Sequence, residues 1–210
     1  MIPVTVLAVR YLNNCSPALC TGLGGPADCP SLGILTADSD DATYIALDEA
    51  TKAADVQVIY GGSFYGGAAN ASTPNAGEVI GILAGKTPGA VRSGMEAALG
   101  ILGKIGFQDV KGVPCLSYTV SSTGSFLSKE AGVPEGSALA YLIAPPVEAL
   151  YALDAALKAS DVKLRKLYTP PTATNFGGGL LSGTQSACKT AAEAFLQAVE
   201  DVAVRPKERN

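Results

Sequence analysis

Apolar positions along this chain switch between short β-branched runs and helical spacing, and the switching occurs twice in one order. Val4 to Tyr11 (VTVLAVRY) predicts a strand, and Leu32 to Ala37 a second. The run Asp38-Ser39-Asp40-Asp41 then caps a helix, with carboxylates beside the first-turn amides and Ala46, Leu47, Ala50, Ala53 and Ala54 as its apolar stripe. Val56 to Tyr60 predicts a strand. Gly61 to Gly77 (GGSFYGGAANASTPNAG) has neither period and predicts a long loop. After a strand at Val79 to Ala84, Thr87 caps a helix that begins with Pro88, where the missing N–H costs nothing. Val91, Gly94, Met95, Ala98, Leu99 and Leu102 keep helical spacing. Gly103 to Gly112 predicts a junction.

The second half follows the same plan. Strands are expected at Leu116 to Val120, Ala138 to Ala144, Val162 to Tyr168 and Leu180 to Gly183. Helices are expected at Val147 to Ser160 and along Ala187, Ala191, Ala194, Phe195, Ala198, Val199 and Val202. Ser125 to Gly132 answers a Cys-, Pro- and Gly-rich connection at Asn13 to Ser31, and Thr169 to Gly179 answers the first Gly-rich loop. Identity accompanies the pattern: ALDEATKAADV at Ala46 to Val56 meets ALDAALKASDV at Ala152 to Val162, 106 positions on, with eight of eleven residues the same. One self-match at half the chain length means two copies of one folded unit, not a solenoid. Domains are expected at residues 1–110 and 111–210, each β-β-α-β-β-α, an α+β arrangement with helices covering a mostly antiparallel sheet.

Composition narrows the function. Hydrophobic residues make up 48% and charged residues 16%, below the usual roughly 25%, so much of the surface is expected to meet other subunits. The net charge is −4 without a Lys/Arg cluster, which argues against nucleic acid. No apolar run reaches membrane-spanning length without Gly, Pro or charge, and Met1 to Arg10 lacks the basic start and apolar run of an export signal. Histidine is absent, which removes the commonest general base and most zinc sites. Cys15, Cys20, Cys29, Cys115 and Cys188 form no CxxC and are read as reduced thiols of a cytosolic protein, against a metal or iron–sulfur role for the first three.

Three stretches invite a chemical reading. Gly81-Ile82-Leu83-Ala84-Gly85-Lys86-Thr87 follows a strand and opens a helix, but three residues separate its glycines where a phosphate loop needs four, so it is read as a capped turn. Asp38, Asp40, Asp41 and Glu78 form an acidic group that suits a metal, a cation or helix capping. Capping accounts for one of the aspartates and leaves Glu78, at a strand entrance, without a reason. Ser63-Phe64-Tyr65, between Gly61-Gly62 and Gly66-Gly67, is a glycine-hinged segment in a loop long enough to be functional, and Asn175-Phe176 is its counterpart.

The segments SLGILTADSDDATYIALDEATKAADVQVIYG, NAGEVIGILAG, STGSFLSKEAG, ALAYLIAPPVEALYALDAALKASDV, PPTATNF and SGTQSACK resemble the tandem-domain shell proteins of bacterial microcompartments, most closely the EutL family of ethanolamine-utilisation shells. The resemblance runs from Ser31 onward. It implies two circularly permuted BMC domains, a homotrimer forming a pseudohexamer, and tiling with other shell proteins into a cytoplasmic compartment wall. It implies no catalytic residue, no metal and no membrane. A central pore for small metabolites is implied, gated by Gly62, Ser63, Phe64, Tyr65, Gly66 and Gly67 and by Asn175 and Phe176. A small pore within each subunit is implied at Asp40, Glu78 and Phe107, where two carboxylates and an aromatic face suit a small ammonium compound. Cobalamin is a further ligand that the resemblance leaves open. Two other classes fit the residues: a small-molecule sensor built from a duplicated domain, and a metal-dependent enzyme using the acidic group, which lacks a nucleophile–base pair.

Overall fold

Three helices begin where a hydroxyl holds their free amides. In the computed structural model, which describes residues 1–64, 73, 75–170 and 172–207, Ser39 accepts from the Ala42 N–H, Thr87 from Ala90 and Thr184 from Ala187. The cap before Asp40 is therefore the serine and not an aspartate. Acidic residues occupy the first turn behind it, where the helix dipole favours them.

In chain order the elements are β1 (Ile2–Pro3), β2 (Val6–Leu12), α1 (Pro17–Gly22), β3 (Ser31–Ala37), α2 (Asp40–Ala53), β4 (Val56–Ser63), β5 (Val79–Gly85) and α3 (Pro88–Leu102). There follow β6 (Gly106–Val110), β7 (Val113–Val120), α4 (Ser125–Ala131), β8 (Ala138–Ala144), α5 (Pro146–Ala159), β9 (Lys163–Tyr168), β10 (Gly177–Gly183) and α6 (Gln185–Val204). One sheet has the order β2-β3-β5-β4 and the other β1-β6-β7-β8-β10-β9. Removing the edge pair β1-β6 leaves β7-β8-β10-β9, the first order again. The pairings β2/β3, β3/β5 and β4/β5 and their counterparts β7/β8, β8/β10 and β9/β10 are all antiparallel.

The chain divides into two compact units. The first is Pro3–Ile105 with Gly124–Leu127; the second is Met1–Ile2, Gly106–Thr123 and Ser128 onward. In the first unit both faces of the sheet are covered, which is why β3 and β5 read as continuous apolar runs. Gly33, Gly81 and Gly85 face α2 and α3, where an added Cβ would lie within 3.0 Å of Met95, Leu47 and Val91 side chains. Leu32, Ile34, Ile80, Ile82 and Ala84 join Cys15, Cys20 and Cys29 in an apolar cluster. In the second unit Leu142, Leu153, Leu181 and Phe195 pack with the alanines of α5 and α6.

Three expected boundaries move. Gly103 to Gly112 is not a plain junction, because Gly106–Val110 pairs with β7 through a two-residue turn in which Lys111 and Gly112 both have positive φ. The turn is held by the Gly112 N–H on Asp109 Oδ1 at 2.6 Å. Five residues that include Gly, Gln and Asp have too little β pattern to announce a strand. The strand expected at Val56 to Tyr60 runs on through Gly61, Gly62 and Ser63, because β5 offers partners opposite them. Gly177 to Gly179, expected in a loop, pair with Ala144, Ile143 and Leu142 of β8.

Candidate functional site

The acidic run at the start of α2 is distributed among separate tasks. Asp38 Oδ1 accepts from the Thr5 N–H at 2.7 Å and fixes the entrance to β2. Asp40 is buried: its Oδ1 accepts from the Asp41 N–H at 2.8 Å and its Oδ2 from the Ser63 hydroxyl at 2.7 Å. Tyr44 OH lies 2.6 Å from Ser63 Oγ. Ser63 has one proton and donates it to Asp40, so Tyr44 is the donor to Ser63. A relay of Tyr44, Ser63 and Asp40 thus ties the first turns of α2 to the end of β4.

Glu78 has a capping task after all, contrary to the expectation that capping leaves it unexplained. Its Oε1 accepts the Asp40 backbone N–H at 3.1 Å, so a carboxylate from the start of β5 closes the N-terminus of α2. Its backbone is held on both sides: Glu78 N–H donates to Ala37 O at 2.9 Å, and Glu78 O accepts from the Phe64 N–H at 2.8 Å. The glycine-rich segment that follows Ser63 therefore leaves and re-enters the fold at one place, beside Asp40.

Phe107 belongs to the second unit, where its ring meets Phe176 edge-on, with centroids 5.3 Å apart. Two residues expected at different pores thus touch each other. Asn175 has φ +66, a conformation Asn tolerates, and sits in a turn closed by Thr172 N–H on Phe176 O and Asn175 N–H on Thr172 O, each 3.1 Å. Of the first loop, Gly62 and Ser63 end β4 and Phe64 follows it; Tyr65, Gly66 and Gly67 lie outside the described residues.

Sequence reasoning missed Tyr44 and Asp48. Asp48 is buried on α2 and accepts the N–H groups of Gly124 and Leu127, both at 2.8 Å. Its recurrence as Asp154 was the available signal.

The remaining candidates settle into structural roles. Lys86 pairs with Asp28 at 3.3 Å, away from any phosphate loop, and Thr87 is a cap. All five cysteines are buried free thiols. Burial pushes Cys115 up to about 11 and also raises Cys29 and Cys188, so these thiols stay protonated at neutral pH and make poor nucleophiles. Among the described residues no group of three or more Cys, Asp or Glu is placed to hold a metal ion. No described helix is long and apolar enough to cross a membrane.

Comparison with known proteins gives this geometry a family. The BMC domain matches residues 31–111. The bacterial microcompartment shell protein EutL of Clostridium perfringens is 54% identical over 210 residues, 98% of this chain and 97% of the relative. The protein of that name in Salmonella typhimurium is 45% identical over 213 residues, 100% of this chain and 97% of the relative. The crystal structure of ethanolamine utilization protein EutL from Leptotrichia buccalis superposes with a TM-score of 0.97 at 55% identity, covering 99% of this chain and 98% of that one. The fold is thus that of the bacterial microcompartment shell proteins, which are structural proteins and not enzymes. Within that class the chain belongs to the EutL family. The sensor and metal-enzyme alternatives find no support among these relatives, and their names carry no cofactor, cobalamin included.

Proposed function

We propose that the chain is a wall tile of an ethanolamine-utilisation microcompartment. Three copies form a ring of six domains, residues 1–110 and 111–210 of each, and rings join other shell proteins in a sheet. The observation that carries the reading is the full-length likeness to EutL structures, at 55% identity and a TM-score of 0.97. The low charge content supports large contacts between subunits. Sedimentation in dilute buffer is expected to give a species near three times 21.2 kDa. A stable monomer at about 10 μM would sink the proposal, because obligate interfaces are large and apolar.

The glycine-flanked segment from Gly62 to Gly67, with Asn175 and Phe176, forms the gate of the central pore in this reading. Asp40 and Glu78 receive a small ammonium compound at a second, smaller pore. What supports the acidic pair is its convergence at the α2 N-terminus beside the base of the Gly-rich segment. Glu78→Gln keeps an oxygen for the Asp40 N–H but removes the charge. Ethanolamine binding, followed by ligand-detected NMR, should weaken about tenfold or more in this variant, because a hydrogen bond to a charged group is worth about 1.5–3 kcal/mol. Undiminished binding rules the site out.

A further inference from the structure

The internal repeat leaves equivalent surfaces in two different states. On α2, the face bearing Tyr44, Asp48 and Thr51 is covered by Gly124–Leu127 within the first unit. Asp48 is 1% exposed and accepts two N–H groups of that segment. Thr51 Oγ1 accepts the Ser125 N–H at 3.1 Å, and the Tyr44 and Phe126 rings lie 6.1 Å apart. On α5, 106 positions later, the same face is Leu150, Asp154 and Leu157. Leu150 is 50% exposed, and the Asp154 side chain is 63% exposed, paired with Lys158 at the surface.

The covering segment also has a counterpart. α1 and α4 are one device repeated 108 positions apart. Gly25 N–H bonds Cys20 O at 2.9 Å, as Val133 N–H bonds Ser128 O at 3.0 Å. Gly24 and Gly132 both take positive φ, and Cys29 N–H bonds Pro26 O as Ser137 N–H bonds Pro134 O. Ser16, Pro17, Ala18 and Leu19 therefore stand where Gly124, Ser125, Phe126 and Leu127 stand in the other copy. Leu127 is 0% exposed, whereas Leu19 is 49% exposed.

We propose that the α5 face at Leu150, Asp154 and Leu157 is the docking surface for residues 16–19 of a second copy of this chain. The inference rests on the ring reading above, since the rotation that carries one domain to the next must continue from chain to chain. The substitutions between the copies fit it. Asp154 meets the Ser16 and Leu19 N–H groups as Asp48 meets those of Gly124 and Leu127. The bond from Ser125 to Thr51 is lost on both sides together: Pro17 has no N–H to donate and Leu157 has no oxygen to accept. The ring pair Tyr44 and Phe126 becomes Leu150 against Ala18, an aliphatic contact of smaller volume. The segment carries no charge that Asp154 would have to tolerate, and Ser16 makes no side-chain cap of its own on α1. Leu19 and Leu150 lose their exposure on the same step.

Cross-linking of the purified full-length chain tests this. Ala18→Cys and Leu150→Cys are combined in one chain and treated with a short bis-maleimide; each single variant controls for the five buried native thiols. Covalent dimers and trimers are expected from the double variant and not from either single one. Independently, Asp154→Arg should raise the concentration at which the trimer dissociates by about tenfold or more, with an unchanged far-UV spectrum. A wild-type trimer that gives no intermolecular cross-link and is indifferent to Asp154→Arg overturns the docking and leaves the ring reading standing. Cross-linking confined within one chain overturns it as well. A wild-type chain that sediments as a monomer overturns the ring reading itself.

Discussion

Asp48→Ala is expected to lower stability by about 3 kcal/mol or more in guanidinium denaturation. The carboxylate, 1% exposed, accepts the N–H groups of Gly124 and Leu127, both at 2.8 Å. A buried donor left without a partner costs about 1–3 kcal/mol, and here there are two. Asp48→Asn keeps one acceptor and is expected to lose about half as much. A loss below about 1 kcal/mol for the alanine variant would mean that water satisfies these amides. The pH dependence has a definite sign. Burial is the largest influence on this carboxyl and raises its pKa, against the two N–H groups and Lys52, which lower it. The folded chain therefore holds this proton more readily than the unfolded chain. The part of its stability that is linked to protonation is fully present below the unfolded carboxylate value and is lost as pH rises through the raised folded value, while the two N–H bonds persist to the ionised carboxylate. The advantage of wild type over Asp48→Asn should shrink from about pH 4 towards neutrality. Growth of that advantage with pH would show that the amides outweigh burial.

Gly77→Ala is expected to cost about 3 kcal/mol, and Gly24→Ala no more than about 1–2 kcal/mol, in the same assay. Both glycines have positive φ, +59 and +76, so both variants carry the penalty of a left-handed alanine. They differ in space. A Cβ on Gly77 would lie 2.2 Å from Ala37 O, a backbone atom that cannot step aside, whereas a Cβ on Gly24 meets nothing within 4 Å. Ala37 O is also the acceptor for Glu78 N–H, so the displacement travels to the carboxylate that caps α2. Ethanolamine binding should fall in Gly77→Ala and persist in Gly24→Ala. Equal losses in the two would mean that backbone conformation, and not the clash, decides.

What the sequence announces and what it hides divide along the distance over which each interaction acts. Thr87-Pro88 marks the start of α3 to the residue, because a cap and its amides are three positions apart. The repeat of Ala46 to Val56 announces two copies of one folded unit, and the strand order that the two sheets share comes from the fold. The convergence of Asp40 with Glu78 came from the resemblance, since 38 positions separate them and no periodicity links such a pair. The donor from Ser63 to Asp40, the seat of Asp48 and the meeting of Phe107 with Phe176 were not legible at all. Each depends on which strand end or helix face the tertiary fold brings near, and the side chains involved are ordinary for their local positions. β6 stayed hidden for a related reason: its pairing partner, more than its own composition, makes it a strand.

The buried thiols described above turn the protein into its own stopwatch. Cys15, Cys20 and Cys29 lie in the first unit, Cys115 and Cys188 in the second, and none is exposed. A maleimide of distinct mass reaches each thiol only when its surroundings open, so labelling followed by peptide mass analysis times the two units separately. The duplication that built the chain thereby supplies, without any engineering, a clock in each half that runs only while that half is undone.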